Sequence, residues 1–183
     1  MVSLIGKLTC RIASLCYGLV WINIERVSTG EGDYSRFLGP DWRPTWEGAG
    51  TIVSNHCSFL DIGSLEYAFF TSFVSKKEVK NWPLIGKCAV CYDCIFVERG
   101  STKESKQAVL KQIQDRQADN ERTGRKPILI FPEGATTNNE QVIQFKQGPF
   151  SALLSVTPVA LKYWSLNGIS PQNDTLGIWH FYF

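Results

Sequence analysis

The stretch "GTIVSNHCSFLD", from Gly50 to Asp61, contains the change of pattern that decides the fold. Its first part, "GTIVS", is a short apolar, β-branched run, as in a buried strand. Its last part, Ser58 to Asp61, fits a capping box, the serine and acid pair that opens many helices. The stretch therefore predicts a strand that leads into a helix. Polar residues between the two lie at the carboxyl end of the strand, where α/β sheets usually bind ligands.

Short β-like runs alternate with helical ones along the rest of the chain. The predicted strands cover residues 50–54, 94–98, 127–132 and 157–163, and the predicted helices cover 59–73 and 102–118. Such alternation is typical of an α/β fold, a single domain with a largely parallel central sheet flanked by helices. We assign residues 30–165 to this domain, beginning with a Gly-, Pro- and Trp-rich connecting stretch from about Gly30 to Gly50.

The pattern of residues 1–29, the N-terminal segment, predicts an apolar anchoring helix. Apolar side chains recur there at helical spacing: Leu4, Ile5, Leu8, Ile12, Leu15, Leu19 and Ile22. A helix that spans a bilayer needs roughly 20 apolar residues, and the uncharged run from Ile12 to Ile24 is shorter, which favours a helix lying in the membrane interface. The alternative is an ordinary packing helix of the domain. Residues 166–183 form a C-terminal tail.

Composition indicates a folded globular domain, and the net charge excludes few partners. A chain of 183 residues that is 44% hydrophobic suits one folded domain, and a net charge of +2 gives no argument for nucleic acid binding. Six unevenly spaced cysteines favour reduced thiols that face the cytosol. Cys88, Cys91 and Cys94 have a spacing used by iron–sulfur ligands, but the fourth position is Glu98, so no metal site is predicted and these thiols are expected in a loop and strand.

His56 and Asp61 form the first candidate for catalysis. His56 is one of two histidines, and an aspartate five positions later can fix its tautomer so that the other ring nitrogen accepts a proton. Taken alone, the pair also fits a satisfied polar residue beside a helix cap. Cys57 and Ser58 are weaker candidates for a nucleophile, because neighbours in an extended chain point to opposite sides and Ser58 is expected to cap the helix. The proton is therefore expected to come from a substrate.

A second motif, considered together with His56 and Asp61, indicates the class of protein. "LIFPEGATTN", from Leu129 to Asn138, carries Phe-Pro-Glu-Gly after a buried strand. Together with Asn-His-x-x-x-x-Asp at 55–61, it resembles the lysophospholipid and glycerolipid acyltransferases, the 1-acylglycerol-3-phosphate acyltransferase superfamily. Two weaker blocks occur in the family's order, "CIFVERGS" through Phe96 and Arg99, and "TPVALK" through Pro158 and Val159. The resemblance covers roughly residues 46–164.

The resemblance implies a reaction, the transfer of an acyl group from acyl-CoA to a free hydroxyl on a glycerol backbone. It implies that His56 is the general base and that Asp61 orients its imidazole, a contribution of about 10²- to 10⁴-fold in rate. It implies an acceptor site, with Arg99 on the phosphate, formed by Asn55, Arg99, Glu133, Gly134, Thr136 and Lys146. Acyl-CoA is then a co-substrate, and no cofactor is expected.

The residues after Gly134 bear on the acceptor. Many members that form phosphatidic acid continue with Thr-Arg-Ser, whereas this chain has Ala135-Thr136-Thr137 and lacks that arginine. Asn138 and Lys146 look more like members that reacylate lysophosphatidylcholine or lysophosphatidylethanolamine. Glycerol-3-phosphate or lysophosphatidic acid is the alternative acceptor.

Other classes of function also stay open from the sequence. They are a non-catalytic membrane-binding module and a thioester or lipid hydrolase. The resemblance implies membrane association, which we expect at the endoplasmic reticulum. Because the family often continues beyond the fourth block, both a fragment and a short form stay open.

Overall fold

Five strands form one central sheet in the described part of the chain. The computed structural model describes residues 2–25, 35–41, 50–83, 85–98, 100 and 102–164. The strands are β1 (Thr51–Ser54), β2 (Ser72–Lys76), β3 (Ile95–Val97), β4 (Ile128–Ile130) and β5 (Val156–Val159). They lie in the order β3-β2-β4-β1-β5, and every pair of neighbours is parallel. The predicted α/β fold with a parallel sheet is confirmed.

Two helices precede β1, and the others lie in the connections between the strands. The helices are α1 (Val2–Cys16), α2 (Ser35–Leu38), α3 (Asp61–Phe69), α4 (Ile85–Cys91) and α5 (Lys103–Thr123), with 3₁₀ helices at Lys77–Asn81 and Gly148–Phe150. Thr102 caps α5, because its hydroxyl oxygen accepts a hydrogen bond from the Ser105 amide at 3.2 Å. Gly124, with φ of 64°, ends the same helix in the left-handed conformation that glycine adopts without strain.

The two faces of the sheet bury separate apolar clusters. On one face Ile52 of β1 and Leu129 of β4 pack with Leu65 of α3. On the other face Ile128 and Ile130 pack with Ile113 of α5. Since neighbouring strand residues point to opposite faces, the continuous run "ILI" of β4 supplies both clusters. A continuous apolar strand is thus the expected sequence for the centre of this sheet.

The helix predicted for residues 59–73 is wrong at its C-terminal end. Helix α3 stops at Phe69, Phe70 takes a left-handed conformation with φ of 54°, and β2 begins at Ser72. Phe69, Phe70 and Phe73 continue the apolar pattern, and no glycine or proline marks the break. Strand β2 was therefore missing from the sequence prediction.

Smaller differences concern the ends of other elements. Helix α5 runs five residues beyond the predicted Ala118, to Thr123, and β5 ends at Val159 although a strand was predicted to residue 163. Pro158 lies within β5, as a strand at the edge of a sheet allows. Cys88 and Cys91 were expected in a loop and strand, but both lie exposed on α4, while Cys94 is buried just before β3.

The N-terminal helix is shorter than its apolar pattern. Helix α1 ends at Cys16 and packs on α3, where the Lys7 ammonium lies 3.4 Å from the Ala68 carbonyl oxygen. Several apolar side chains of α1 are exposed: Leu4, Ile5, Leu8, Ile12 and Leu15. Among the described residues, no helix combines the length and the hydropathy that a bilayer crossing requires. Most of the connecting stretch 30–50 and all of the tail 166–183 lie outside the described residues.

Candidate active site

The predicted site residues meet where β1 and β4 end. These strands are parallel neighbours, with Val53 opposite Ile130, so the loops after them leave the sheet at the same edge. The backbone amide of His56 donates to Glu133 Oε1 at 3.0 Å, which joins the two loops directly. The two sequence motifs, more than seventy residues apart, thus form one site.

His56 and Asp61 are hydrogen bonded. His56 Nδ1 lies 2.8 Å from Asp61 Oδ2, and the aspartate has no exposed surface while the histidine side chain keeps 19% of its own. When Nδ1 carries the proton toward the carboxylate, Nε2 is the acceptor nitrogen of the neutral ring. The pair therefore has the arrangement that a general base requires.

The histidine ring is also held by an aromatic neighbour. Phe131, directly after β4, stacks on the imidazole with ring centroids 4.1 Å apart and an interplanar angle of 16°. This contact fixes the plane of the ring, while Asp61 fixes its rotation within that plane. The phenylalanine of the Phe-Pro-Glu-Gly motif thus acts on the histidine.

The loop itself surrounds the Asp61 carboxylate. Asp61 Oδ2 accepts from the backbone amides of Cys57, at 2.7 Å, and Ser58, at 2.9 Å, besides His56. The predicted capping box is half formed: the acid bonds back to Ser58, but the Ser58 hydroxyl oxygen accepts from the Leu60 amide, one residue earlier than the motif requires. The helix start and the candidate base share one carboxylate.

Neither of the neighbouring nucleophile candidates faces outward. Cys57 is completely buried, and burial, reinforced by the nearby Asp61, raises the pKa of its thiol to about 12. Ser58 is buried as well. A thiol with so high a pKa is a poor nucleophile at neutral pH, since the thiolate is the reactive form.

Tyr163 is the site residue that sequence reasoning missed. Its hydroxyl donates to Asp61 Oδ1 at 2.8 Å, and burial raises the pKa of the phenol well above its usual range. Tyr163 ends the stretch "TPVALKY", whose Pro158 and Val159 were noted while the tyrosine was not. A polar-tipped aromatic residue at a strand end was the one signal that could have indicated it.

The Asn55 side chain connects the loop to the segment after β5. It accepts from the Leu161 amide at 2.7 Å and donates to the Leu161 carbonyl oxygen at 2.9 Å. Its amide nitrogen also donates to Asn139 Oδ1 at 2.9 Å. Substrate binding by Asn55 stays a prediction, since all of these bonds are internal to the protein.

The loop after β4 brings three further predicted residues to the same edge. Glu133 is buried, and its Oε2 has no hydrogen-bond partner among the described residues. Gly134 has φ of 71°, and Lys146 Nζ lies against the side of it where a Cβ would stand. Lys146 is fixed through its backbone, whose amide donates to Pro132 O at 2.9 Å. A positive charge therefore lies beside the glycine of the motif.

For two predicted site residues, Thr136 and Arg99, a contact within the site stays a prediction. Thr136 is half-buried in the same loop, but its neighbour Thr137 makes the observed link, its amide donating to His56 O at 2.8 Å. Arg99, the predicted phosphate contact, lies outside the described residues. In the described part of the chain, no group of three or more histidine, cysteine or acidic side chains is placed to hold a metal ion.

Fold and site together define an α/β domain with a half-buried histidine paired to a buried aspartate at the carboxyl edge of a parallel sheet. A family model described as Acyltransferase matches residues 33–162. The chain belongs to this family, within the superfamily of lysophospholipid and glycerolipid acyltransferases.

Curated relatives give the same assignment. The lysophospholipid acyltransferase LPEAT1 of Arabidopsis thaliana is 40% identical over 118 residues, which cover 64% of this chain and 30% of the relative. A lyso-ornithine lipid O-acyltransferase of Rhodobacter capsulatus is 33% identical, covering 67% of this chain and 45% of the relative. A 1-acyl-sn-glycerol-3-phosphate acyltransferase of Neisseria gonorrhoeae is 28% identical, covering 64% and 45%. The matched segment spans less than half of each relative. No solved structure matches the chain.

Proposed function

We propose that this domain transfers a fatty acyl group from acyl-CoA to the free hydroxyl of a lysophospholipid at a membrane surface. The observation that carries the proposal is the 2.8 Å bond between His56 Nδ1 and the buried Asp61, in a chain of the acyltransferase family. The half-buried imidazole leaves Nε2 as the nitrogen to accept the proton of an incoming hydroxyl.

The proposed reaction needs no acyl-enzyme. The acceptor oxygen attacks the thioester carbonyl while its proton passes to His56 Nε2, and the resulting imidazolium faces Asp61. The tetrahedral intermediate then collapses, the carbon–sulfur bond breaks, and the proton moves from the imidazolium to the departing CoA sulfur. Free CoA and an acylated lipid are the products. The high pKa of the Cys57 thiol supports this direct route over a cysteine nucleophile.

The loop after β4 supports the acceptor side of the proposal. Lys146 places an ammonium beside Gly134, and an ammonium is a common partner of lipid phosphate groups. Asn55, Glu133 and Thr136 complete the proposed acceptor site, together with Arg99. Among the acceptors named by the relatives, a lysophospholipid belongs to the relative with 40% identity. Lysophosphatidic acid is the second candidate, favoured by the Neisseria relative.

Helix α1 carries the membrane part of the proposal. Its exposed leucine and isoleucine side chains recur at helical spacing, which suits a helix lying on a bilayer. Trp21 and Val20, just beyond the helix, are exposed as well. Such an apolar surface would keep the domain beside two substrates that partition into lipid. We propose the endoplasmic reticulum as the membrane, with the cysteines on its cytosolic side.

A panel of acceptors tests the proposal. Purified protein in liposomes receives acyl-CoA and, one at a time, lysophosphatidylcholine, lysophosphatidylethanolamine, lysophosphatidic acid, lyso-ornithine lipid or glycerol-3-phosphate. Acylated lipid and free CoA thiol are both measured. We expect equal amounts of the two products with a lysophospholipid, and a lysophosphatidic acid preference would select the second candidate. Free CoA without acylated lipid would indicate a hydrolase, and liposome binding without either product would indicate a non-catalytic module.

A further inference from the structure

The buried Asp61 carboxylate is held from two sides. Its Oδ2 bonds to groups of its own loop: His56 Nδ1 and the amides of Cys57 and Ser58. Its Oδ1 bonds to Tyr163, which comes from the segment after β5. Oδ1 also lies 3.7 Å from the Cys57 thiol, and a thiol is a weak donor. The tyrosine hydroxyl is therefore the strong donor on that side.

The segment that carries Tyr163 is itself fixed to the histidine loop. Leu161, two residues earlier, donates its amide hydrogen to the Asn55 side chain, and its carbonyl oxygen accepts from the same side chain. The phenol oxygen also lies 3.4 Å from the Ser64 hydroxyl of α3. Because burial keeps the phenol protonated, its hydroxyl donates to Asp61. The donor has a defined position relative to the carboxylate.

We propose that Tyr163 is a positioning residue for acyl transfer, whose hydroxyl sets the rotation of the Asp61 carboxylate and so keeps Oδ2 on His56 Nδ1. This inference rests on the proposed function of the His56 and Asp61 pair. The torsion that rotates a carboxylate is soft, so the hydrogen bonds decide its orientation. Without the phenol, Oδ1 is a buried oxygen with a thiol as its donor, and the carboxylate gains by turning away from the imidazole to share its other donors.

The test compares Tyr163→Phe with Tyr92→Phe. Tyr92 is a matched control, since its hydroxyl contacts the Gly6 carbonyl oxygen and the Cys10 sulfur under α1, away from the histidine loop. Each variant removes one hydroxyl oxygen from a partly buried ring. We expect Tyr163→Phe to lower kcat by about tenfold, the scale of one lost hydrogen bond, with KM for both substrates unchanged. Tyr92→Phe should keep kcat at the wild-type value in detergent solution.

A second readout does not depend on turnover. The Nδ1 proton of His56, hydrogen bonded to a carboxylate, gives a low-field proton resonance that can be assigned by its loss in His56→Ala. We expect this resonance to broaden or disappear in Tyr163→Phe, because a loosened Nδ1 proton exchanges with water, and to persist in Tyr92→Phe. A change limited to folding would leave the resonance in the folded fraction.

The outcomes separate this inference from the proposed function. If the wild type transfers no acyl group to any acceptor, the proposed function fails and the inference fails with it. If the wild type is active and Tyr163→Phe keeps both kcat and the resonance, the inference alone is overturned. Should Tyr163→Phe not fold, 3-fluorotyrosine placed at position 163 takes its place, because it keeps the ring and the hydroxyl but makes the phenol a stronger donor to Asp61. An unchanged position of the His56 Nδ1 resonance together with an unchanged kcat overturns the inference as well.

Discussion

Two buried carboxyl groups lie on the same helix, α3, in different surroundings. Asp61, in the first turn, is reached by five donors, from His56, Cys57 twice, Ser58 and Tyr163. Glu66, farther along, accepts from the Thr71 hydroxyl at 2.5 Å, while its Oε2 has no partner among the described residues. Burial therefore raises the pKa of Glu66 to about 7, although Thr71 and Lys126 act in the opposite direction.

Burial of an acid does not by itself indicate a catalytic role. Both side chains are nearly inaccessible, Asp61 at 0% and Glu66 at 1%. Asp61 differs because backbone amides and a phenol converge on it and because a histidine shares one of its oxygens. Glu66 faces the Lys126 side of the domain, where that ammonium lies 5.0 Å from the centre of the Phe70 ring. Donors around the carboxylate, rather than its depth, distinguish the candidate catalytic acid.

The largest expected effect separates the two acids by activity. Asp61→Asn removes the charge that faces the imidazolium, and we expect acyl transfer to fall by about 10²- to 10⁴-fold, the usual range for losing general-base catalysis. Glu66→Gln is the matched control and should keep kcat within a few-fold of wild type at pH 7. The assay is product formation with the preferred lysolipid. Equal losses in the two variants would mean that Asp61 has no special role.

The second prediction concerns Glu66 and the pH dependence of the free energy of unfolding. A carboxyl group whose pKa is raised on folding stabilises the protein below its unfolded pKa of 4.5, and this contribution is lost as pH rises through about 7. The free energy of unfolding should thus decline by about 3 kcal/mol over this window because of Glu66.

Urea unfolding at pH 5 and pH 8 measures this decline. In Glu66→Gln we expect the decline attributable to Glu66 to vanish, whereas the exposed-acid control Glu104→Gln should behave as wild type. A wild-type slope retained in Glu66→Gln would show that another group titrates there.

The third prediction concerns the Thr71 hydroxyl, which donates to Glu66. Thr71 is completely buried, and Thr71→Val removes its hydroxyl with little change of shape. We expect a loss of about 1–2 kcal/mol in unfolding free energy at pH 8, since a buried carboxylate loses its hydroxyl donor, and a smaller loss at pH 5. Thr123→Val, which removes an exposed hydroxyl bonded to Asp119 O, is the control. A similar loss in both threonine variants would contradict the assigned role of Thr71.

The smallest expected effect concerns the weakest donor of Asp61. Cys57→Ala removes the thiol but keeps the backbone amide that bonds to Asp61, so we expect kcat to stay within about threefold of wild type. Cys94→Ala controls for deleting a buried thiol elsewhere in the core. A hundredfold loss in folded Cys57→Ala would instead indicate that the thiol takes part in the chemistry.

Local patterns allowed most of the sheet to be predicted. The runs around Ile52, Phe96 and Leu129 are apolar and bounded by polar residues or proline, and each contains a strand. The pairing of His56 with Asp61 could also be predicted, because five residues span one tight loop at a helix start. Strand β2 could not be predicted, since the left-handed residue that separates it from α3 is Phe70 rather than a glycine.

Local sequence patterns could not predict the role of residues that act through partners far along the chain. Tyr163 reaches Asp61 across 102 positions, and nothing near it in the sequence points to an acid. The sequence predicts Thr136 as an acceptor-site residue and gives no reason to choose Thr137, because two neighbouring threonines differ only once the loop is folded. The burial of Glu66 was likewise hidden, since an acid on a helix is ordinarily exposed.

The paired hydrogen bonds between Asn55 and Leu161 have a consequence for the order in which the domain is made. They join positions 106 residues apart, so the histidine leaves the ribosome long before the backbone that fixes its loop. Contacts of such long range form late in folding, because a large loop must close first. A partly synthesised chain therefore holds His56 and Asp61 without β5 and the segment after it, and the candidate site is completed only when β5 has been added to the sheet.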